Sequence, residues 1–368
     1  MRYRVILVEH DLAMLSELAG TIRTDPSFEL AATYQDPEAA VGQSSVFHPN
    51  LFLVDVDIPR GLETLSTLIR LYPEAEVLGI MERWNGDLAD EVLRAGALGS
   101  LLKPFRMEEV TEALSLYKRR GQRLPARTLA FFSPKGRSGQ SPVASILAIE
   151  LARRSGESVA LIDADLQFGD LAMFFDVAPP HNVVEASHDI RLLTPESLEP
   201  YFYPLGENVW ILCGAVRPEH AELVEAEQLI NVVRMAGSLF RYVLLDLPTG
   251  FNPISIALTE FADTNILMTM LNSGQEVHHM KRSMRMFRSW ESYGKKIYSL
   301  FSRVQPCTDG QKQKIEEEFG RPVTGILPNA YQITSITSGG RLMKDLPEDM
   351  PLVRSLGNLA ADFVAGRR

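Results

Sequence analysis

Cysteine is almost missing from this chain: Cys213 and Cys307 are the only two in 368 residues. Two isolated cysteines supply neither a disulfide framework nor a metal-ligand spacing. Cys213 lies inside Val209-Trp-Ile-Leu-Cys-Gly214 and reads as a buried strand residue. No apolar run is long enough to span a bilayer. The N-terminus passes straight into a strand pattern without a signal peptide, so the cytoplasm is the expected compartment. Excess positive charge is missing too. Against 37 Lys and Arg stand 47 Asp and Glu, a formal charge of −10. An acidic surface argues against a protein that coats DNA or anionic lipid. No nucleic-acid partner is expected, and membrane association only an indirect one. Hydrophobic residues make up 45% and charged residues 23%, which places the chain among ordinary globular proteins. Its length allows two domains, each with its own core.

What is present is punctuated apolar runs. Residues 1–120 alternate helical patterns with short strands: Arg4–Val8, Leu30–Tyr34, Leu51–Asp55, Val77–Met81 and Gly99–Leu102. Continuous apolar strands separated by helices indicate a parallel sheet covered on both faces. Tyr117–Arg127, rich in basic residues with Gly and Pro, breaks the pattern, and 121–127 is taken as a linker. Residues 128–368 repeat the logic with about seven strands: Thr128–Phe132, Ser158–Asp163, Val209–Cys213, Tyr242–Asp246, Thr264–Met270, Lys296–Phe301 and Thr324–Leu327. The expected fold class is α/β, two doubly wound parallel-sheet domains, with ligands at the carboxyl ends of the strands.

The segment Ser133-Pro-Lys-Gly-Arg-Ser-Gly-Gln-Ser141 follows the first strand of the second domain and precedes a helical pattern over Val143–Leu151. That is the context of a phosphate-binding loop, G-x-x-x-x-G-K-[ST], whose backbone N–H groups cradle phosphates while the lysine reaches the β- and γ-phosphates. Gln140 stands where the lysine belongs, and Arg137 where a small residue is usual. Gly136 and Gly139 retain part of the backbone nest, and Ser141 retains a hydroxyl for Mg²⁺. Exchanging ammonium for amide removes charge-assisted hydrogen bonds of about 1.5–3 kcal/mol, roughly 10- to 100-fold in affinity. Pro142 suits the first turn of the helix.

Residues 1–120 resemble the receiver domain of two-component response regulators, a flavodoxin-like fold. Asp55 in Leu-Val-Asp-Val-Asp-Ile-Pro matches the phosphoacceptor, and Lys103-Pro104 matches the lysine with its usual cis-proline. Glu9 and Asp11 match the acidic pair that holds Mg²⁺, but His10 interrupts them, and imidazole is a poor substitute for hard oxygen ligands. Met81, beside Glu82, stands where the resemblance requires a hydroxyl. The simplest reading of these departures is a receiver fold kept for protein contacts.

Residues 128–368 resemble the ParA/MinD group of deviant Walker-A ATPases, and within it the TadZ/CpaE proteins of Flp/Tad type IV pilus systems, which join an atypical receiver to such a domain. Lys135-Gly136 matches the early signature lysine. Val159-Ala-Leu-Ile-Asp-Ala-Asp-Leu-Gln-Phe-Gly-Asp-Leu-Ala-Met173 matches the second acidic motif, and Tyr242-Val-Leu-Leu-Asp-Leu-Pro248 the Walker-B strand. The resemblance implies ATP with Mg²⁺ as cofactor, bound through Lys135, Gly136, Gly139, Gln140, Ser141 and Asp246. It implies Mg²⁺ at Ser141 and Asp246, with Lys135 reaching across a homodimer. Asp163 and Asp165 would support hydrolysis if the site is active. Ser302-Arg303 replaces the usual Asn-Arg of the adenine wall, and Pro328-Asn329-Ala330 replaces Pro-Asn-Asp. The expectation is a weak or inactive ATPase. Singly, Asp163 and Asp246 also fit the simpler role of capping a helix or turn.

Two further features have plain readings. His278-His279 has no cysteine or carboxylate at ligand spacing and reads as a solvated or packing pair. Leu352, Leu356, Leu359 and Phe363 share a helical face, which fits a helix packed on the domain better than a membrane anchor. The function expected is a scaffold that positions pilus or secretion machinery, recruited by its partners to a pole or the inner membrane face. The alternatives are a slow MgATP-dependent dimerisation switch and a response regulator controlled at Asp55.

Overall fold

The computed structural model describes residues 2–121, 125–271, 275–287 and 296–366. The chain forms two compact units, Met1–Leu124 with Asp189–Glu199, and Pro125–His188 with Pro200–Arg368. Part of the linker expected over 121–127, residues 122–124, lies outside the described residues.

The first unit is a five-stranded sheet of order β2-β1-β3-β4-β5, with β1 Tyr3–Val8, β2 Phe28–Tyr34, β3 Leu51–Asp55, β4 Glu76–Met81 and β5 Gly99–Leu102. Every pairing is parallel. Helices α1 Leu12–Ile22, α2 Pro37–Gln43, α3 Gly61–Leu71, α4 Gly86–Arg94 and α5 Met107–Gly121 connect the strands. Their starts are written in the sequence. Asp11, Asp36 and Asn85 accept hydrogen bonds from first-turn amides, with Pro37 at the opening of α2. β3 is buried at all five positions, as a central parallel strand must be. Val5, Leu7, Leu53, Leu78 and Ile80 join Leu18, Val110 and Leu114 in one core. The sheet reverses its strand order at β1, between β2 and β3, so the ends of β1 and β3 open a crevice.

The second unit holds an eight-stranded sheet, order β13-β12-β11-β6-β10-β7-β9-β8. Its strands are β6 Arg127–Phe132, β7 Val159–Asp163, β8 Tyr203–Gly206, β9 Val209–Leu212, β10 Tyr242–Asp246, β11 Thr264–Met270, β12 Ile297–Val304 and β13 Gly325–Pro328. The expectation of about seven strands missed β8, which pairs antiparallel to β9 at the edge. Pro204 and Gly206 sit inside it, and both residues argue against a strand except at an edge or irregularity. Helix α6, Gln140–Ser155, is buried almost throughout and ends on Gly156 in the left-handed region. The helix Pro351–Val364 packs on α6, with Leu352, Leu356, Leu359 and Phe363 all buried. Complete burial of a side chain such as Leu356 or Phe363 stabilises by about 1.5–3 kcal/mol. Its apolar face is thus spent on the core. Cys213 is buried just beyond β9, and Cys307 is exposed. His278 is exposed and His279 half-buried on the helix Gln275–Phe287.

Candidate functional site

In the first unit, the loop after β1, the end of β3 and the end of β5 bring three buried charges together. Lys103 Nζ lies 2.8 Å from Glu9 Oε2 and 2.9 Å from Asp55 Oδ2. All three side chains are at least nine-tenths buried. Burial pulls against the Lys103 ammonium, but hydrogen bonds to Glu9 and Asp55 outweigh it and raise its pKa. Burial raises that of Glu9. The Lys103–Pro104 peptide is cis, as the receiver resemblance implies.

Asp11 does not join this group. Its amide donates to Glu9 Oε1 at 2.9 Å, while its own carboxylate caps α1 by accepting from Met14 N at 2.7 Å. His10 points its backbone carbonyl at Gln35 Nε2, 3.1 Å away, and lines an open groove of about 530 Å³ beside the pocket. The third carboxylate is Asp57. Its amide donates to Asp55 Oδ1 at 3.0 Å, and its Oδ2 accepts from Glu82 N at 2.6 Å. Burial raises its pKa. Its signal in the sequence is its place two residues beyond Asp55, past the end of a central strand. Glu9, Asp55 and Asp57 offer the hard oxygens Mg²⁺ prefers. Yet among the described residues no three acidic, His or Cys side chains converge as metal ligands. The Lys103 ammonium balances the charge instead.

In the second unit the loop after β6 meets the ends of β10 and β7. Parallel register places Asp246 opposite Asp163 on the neighbouring strand. Gly139, at φ 75°, makes the left-handed turn from which α6 starts, a conformation that glycine adopts freely. Gln140, at the lysine position, does not face outward. Its Nε2 donates to Asp246 Oδ1 at 2.8 Å and to Leu247 O at 2.6 Å. Both partners are acceptors, which fixes the amide orientation. Its Oε1 is buried with no hydrogen-bond partner. Ser141 also hydrogen-bonds to Asp246. Burial pushes the Asp246 carboxyl up to about 6, against the Ser141 and Gln140 hydrogen bonds, which lower it.

Asp163 is buried, and burial together with the Asp246 charge raises its carboxyl well above the usual range. Its oxygens accept from Asp165 N at 3.2 Å and Leu171 N at 3.3 Å, so it tethers the loop that leads into the short helix Leu171–Phe175. A Cβ on Gly169 would collide with this carboxylate. Asp165 is half-buried and accepts from Phe168 N at 3.2 Å. Asp163 and Asp165 are thus held by loop amides.

The remaining loop contacts also turn inward. Ser133 Oγ donates to Lys135 O at 2.6 Å, and Gly250 N to Ser133 O at 2.9 Å. Ser302, at the adenine-wall position, donates its hydroxyl to Ser138 O at 2.5 Å. Lys135, Gly136 and Arg137 are exposed at the crest, with Arg137 in the left-handed region at φ 68°. Ser141 and Asp246, the pair expected on the Mg²⁺ side, are adjacent, and their oxygens are of the kind a hard cation prefers. Gln140, at the position expected to grip phosphate, is turned onto the sheet. Replacement of Lys by Gln was legible in the sequence; the direction in which Gln140 points was not.

Residues 5–115 match the response regulator receiver domain model. The transcriptional regulatory protein DegU of Brevibacillus brevis is 25% identical over 33% of this chain, which spans about half of that protein's length, 52%. An uncharacterized ATP-binding protein of Methanocaldococcus jannaschii is 21% identical over 66% of this chain and 90% of its own length. Among solved structures, a ParA family ATPase from Chlorobium tepidum superposes with a TM-score of 0.58 at 20% identity, covering 64% of this chain and 98% of its own. The septum site-determining protein MinD of Pyrococcus horikoshii, complexed with Mg-ADP, gives 0.54 at 21%, covering 66% and 98%. This chain therefore carries a receiver domain joined to a unit of ParA/MinD-like P-loop fold.

Proposed function

We propose that this protein is a scaffold of the TadZ/CpaE kind, positioning a Flp/Tad pilus assembly or secretion machine, with a P-loop site that has lost its grip on nucleotide. The observation that carries this reading is the inward turn of Gln140 onto Asp246 and Leu247. A lysine there would supply charge to the phosphates; the amide supplies none, and its donors are already used. Retained Ser141 and Asp246 support the ancestry, and ancestry is not activity. A homodimer and protein partners suit the fold, which a MinC:MinD complex from Aquifex aeolicus shares with a TM-score of 0.52. Among the described residues no helix is long and apolar enough to cross a membrane, so recruitment to a pole or membrane face would come through partners. The test is in the organism that makes it. Lys135→Ala and Ser141→Ala should leave pilus assembly and localisation of the protein intact. Loss of either in both variants would instead favour a MgATP-dependent switch.

A second reading has its own observation. Lys103 is seated on Asp55 as phosphoryl transfer to Asp55 would require. Incubation with a small phosphodonor should label the protein if this pocket is a switch, and Asp55→Asn should abolish the label. The absence of Thr or Ser at Met81 weighs against a strong conformational response.

A further inference from the structure

Residues 189–199 belong to the first unit, although the chain on both sides of them belongs to the second. The stretch is internally built. Ile190–Leu192 forms a 3₁₀ turn, and Thr194 caps the short helix Pro195–Leu198 through a reciprocal pair with Ser197. That helix packs on α5, and Leu198 is fully buried. The Trp84 amide donates to Arg191 O at 2.9 Å, and the Trp84 side chain is buried.

Trp84 lies two residues beyond a contact of the acid pocket. Residues 81–84 are held at three points: Met81 O accepts from Lys103 N at 2.9 Å, Glu82 N donates to Asp57 Oδ2, and Trp84 N donates to Arg191 O. One end of this short loop thus rests on the pocket and the other on the 189–199 stretch. The seat is not a uniformly apolar one. Glu196 is half-buried, and burial, against a hydrogen bond to Thr194 and with the charges of Glu112 and Glu109 nearby, raises its pKa.

We propose that residues 189–199 are an intramolecular clasp on the receiver, whose seating is set by the acid pocket through the Glu82–Trp84 loop. The partner of this receiver face is a segment of its own chain. Loss of the Asp57 oxygen that holds Glu82 would free the start of this loop and so loosen Trp84 from Arg191. The inference is independent of the pilus role and of nucleotide binding.

Hydrogen exchange of the full-length protein tests it. Asp57→Ala removes the acceptor, worth about 1 kcal/mol, so amides in 82–84 and in 189–199 should exchange roughly five- to tenfold faster. Asp57→Asn keeps a carbonyl oxygen and should retain protection in both. The reciprocal variant Leu198→Ser should unseat the clasp and speed exchange at Glu82 and Trp84, because coupling runs both ways. It reads the same link if Asp57→Ala does not fold. Faster exchange confined to 82–84 in Asp57→Ala, or to 189–199 in Leu198→Ser, would overturn the proposal.

Discussion

Gln140 and Asp246 are joined directly: the glutamine amide nitrogen sits 2.8 Å from the carboxylate at the end of β10, in the interior of the second unit. The residue at the position expected to face phosphate therefore holds the end of β10. Together with the bond to Leu247 O, this contact serves as a structural clamp and uses both donors of the amide.

Removing the clamp should cost stability. Gln140→Ala leaves Asp246 Oδ1 and Leu247 O without this donor in a buried setting, a loss of about 1–3 kcal/mol. Chemical denaturation should show a lower midpoint for the second unit. An unchanged midpoint would mean that water or a neighbour replaces the amide.

Restoring the lysine should work in the opposite sense for ligand. Gln140→Lys supplies the missing charge beside Ser141 and Asp246, and nucleotide affinity should rise by roughly 10- to 100-fold. Titration calorimetry reads this directly. No gain would locate the block elsewhere, at Arg137 or at Ser302, which closes onto Ser138.

Asp246 also sets a pH dependence. Its folded pKa is about 6 against an ordinary 3.8. Between these values the native state holds the extra proton, so this contribution to stability is full below about pH 4 and is lost as pH rises through 6. Its size is about 3 kcal/mol at most. The stability difference between wild type and Asp246→Asn should therefore drift across pH 4–6 and level off above. A flat difference would contradict the assigned burial.

In the first unit, Lys103 is the keystone of a buried ion group. Lys103→Met leaves Glu9 and Asp55 facing each other unpaired, which should destabilise by about 3–5 kcal/mol. The double change with Asp55→Asn should recover part of that loss. Urea unfolding of the three proteins checks both statements.

Thiol chemistry checks the placement of the two cysteines. Burial pushes the Cys213 thiol up to about 12, while Cys307 is exposed and within reach of a reagent. A thiol reagent at pH 8 should label the native protein at Cys307 and leave Cys213 until the protein unfolds.

The central parallel strands β3, β7 and β10 were legible because each is a short apolar run buried on both faces, and Asp36-Pro37 announces a helix start by chemistry that is local. The acid pocket was legible in Asp55, Glu9 and Lys103. Asp11 was not, because a carboxylate after a strand serves a helix N-terminus as readily as a metal, and only geometry decides. Asp57 was passed over because its value lies in a loop amide, that of Glu82, brought near by the fold. The strand Tyr203–Gly206 escaped because edge pairing tolerates residues that propensity excludes. The place of 189–199 depends on contacts distant in sequence, which no local pattern records.

The measurement that tests the central claim most directly is calorimetric titration of the purified wild-type protein with MgATP and MgADP, paired with light scattering. A Gln140 that holds Asp246 instead of phosphate predicts no saturable heat in the micromolar range and an oligomeric state unchanged by nucleotide. Micromolar binding accompanied by dimerisation would contradict it and would make Lys135, Ser141 and Asp246 the working parts of a nucleotide switch.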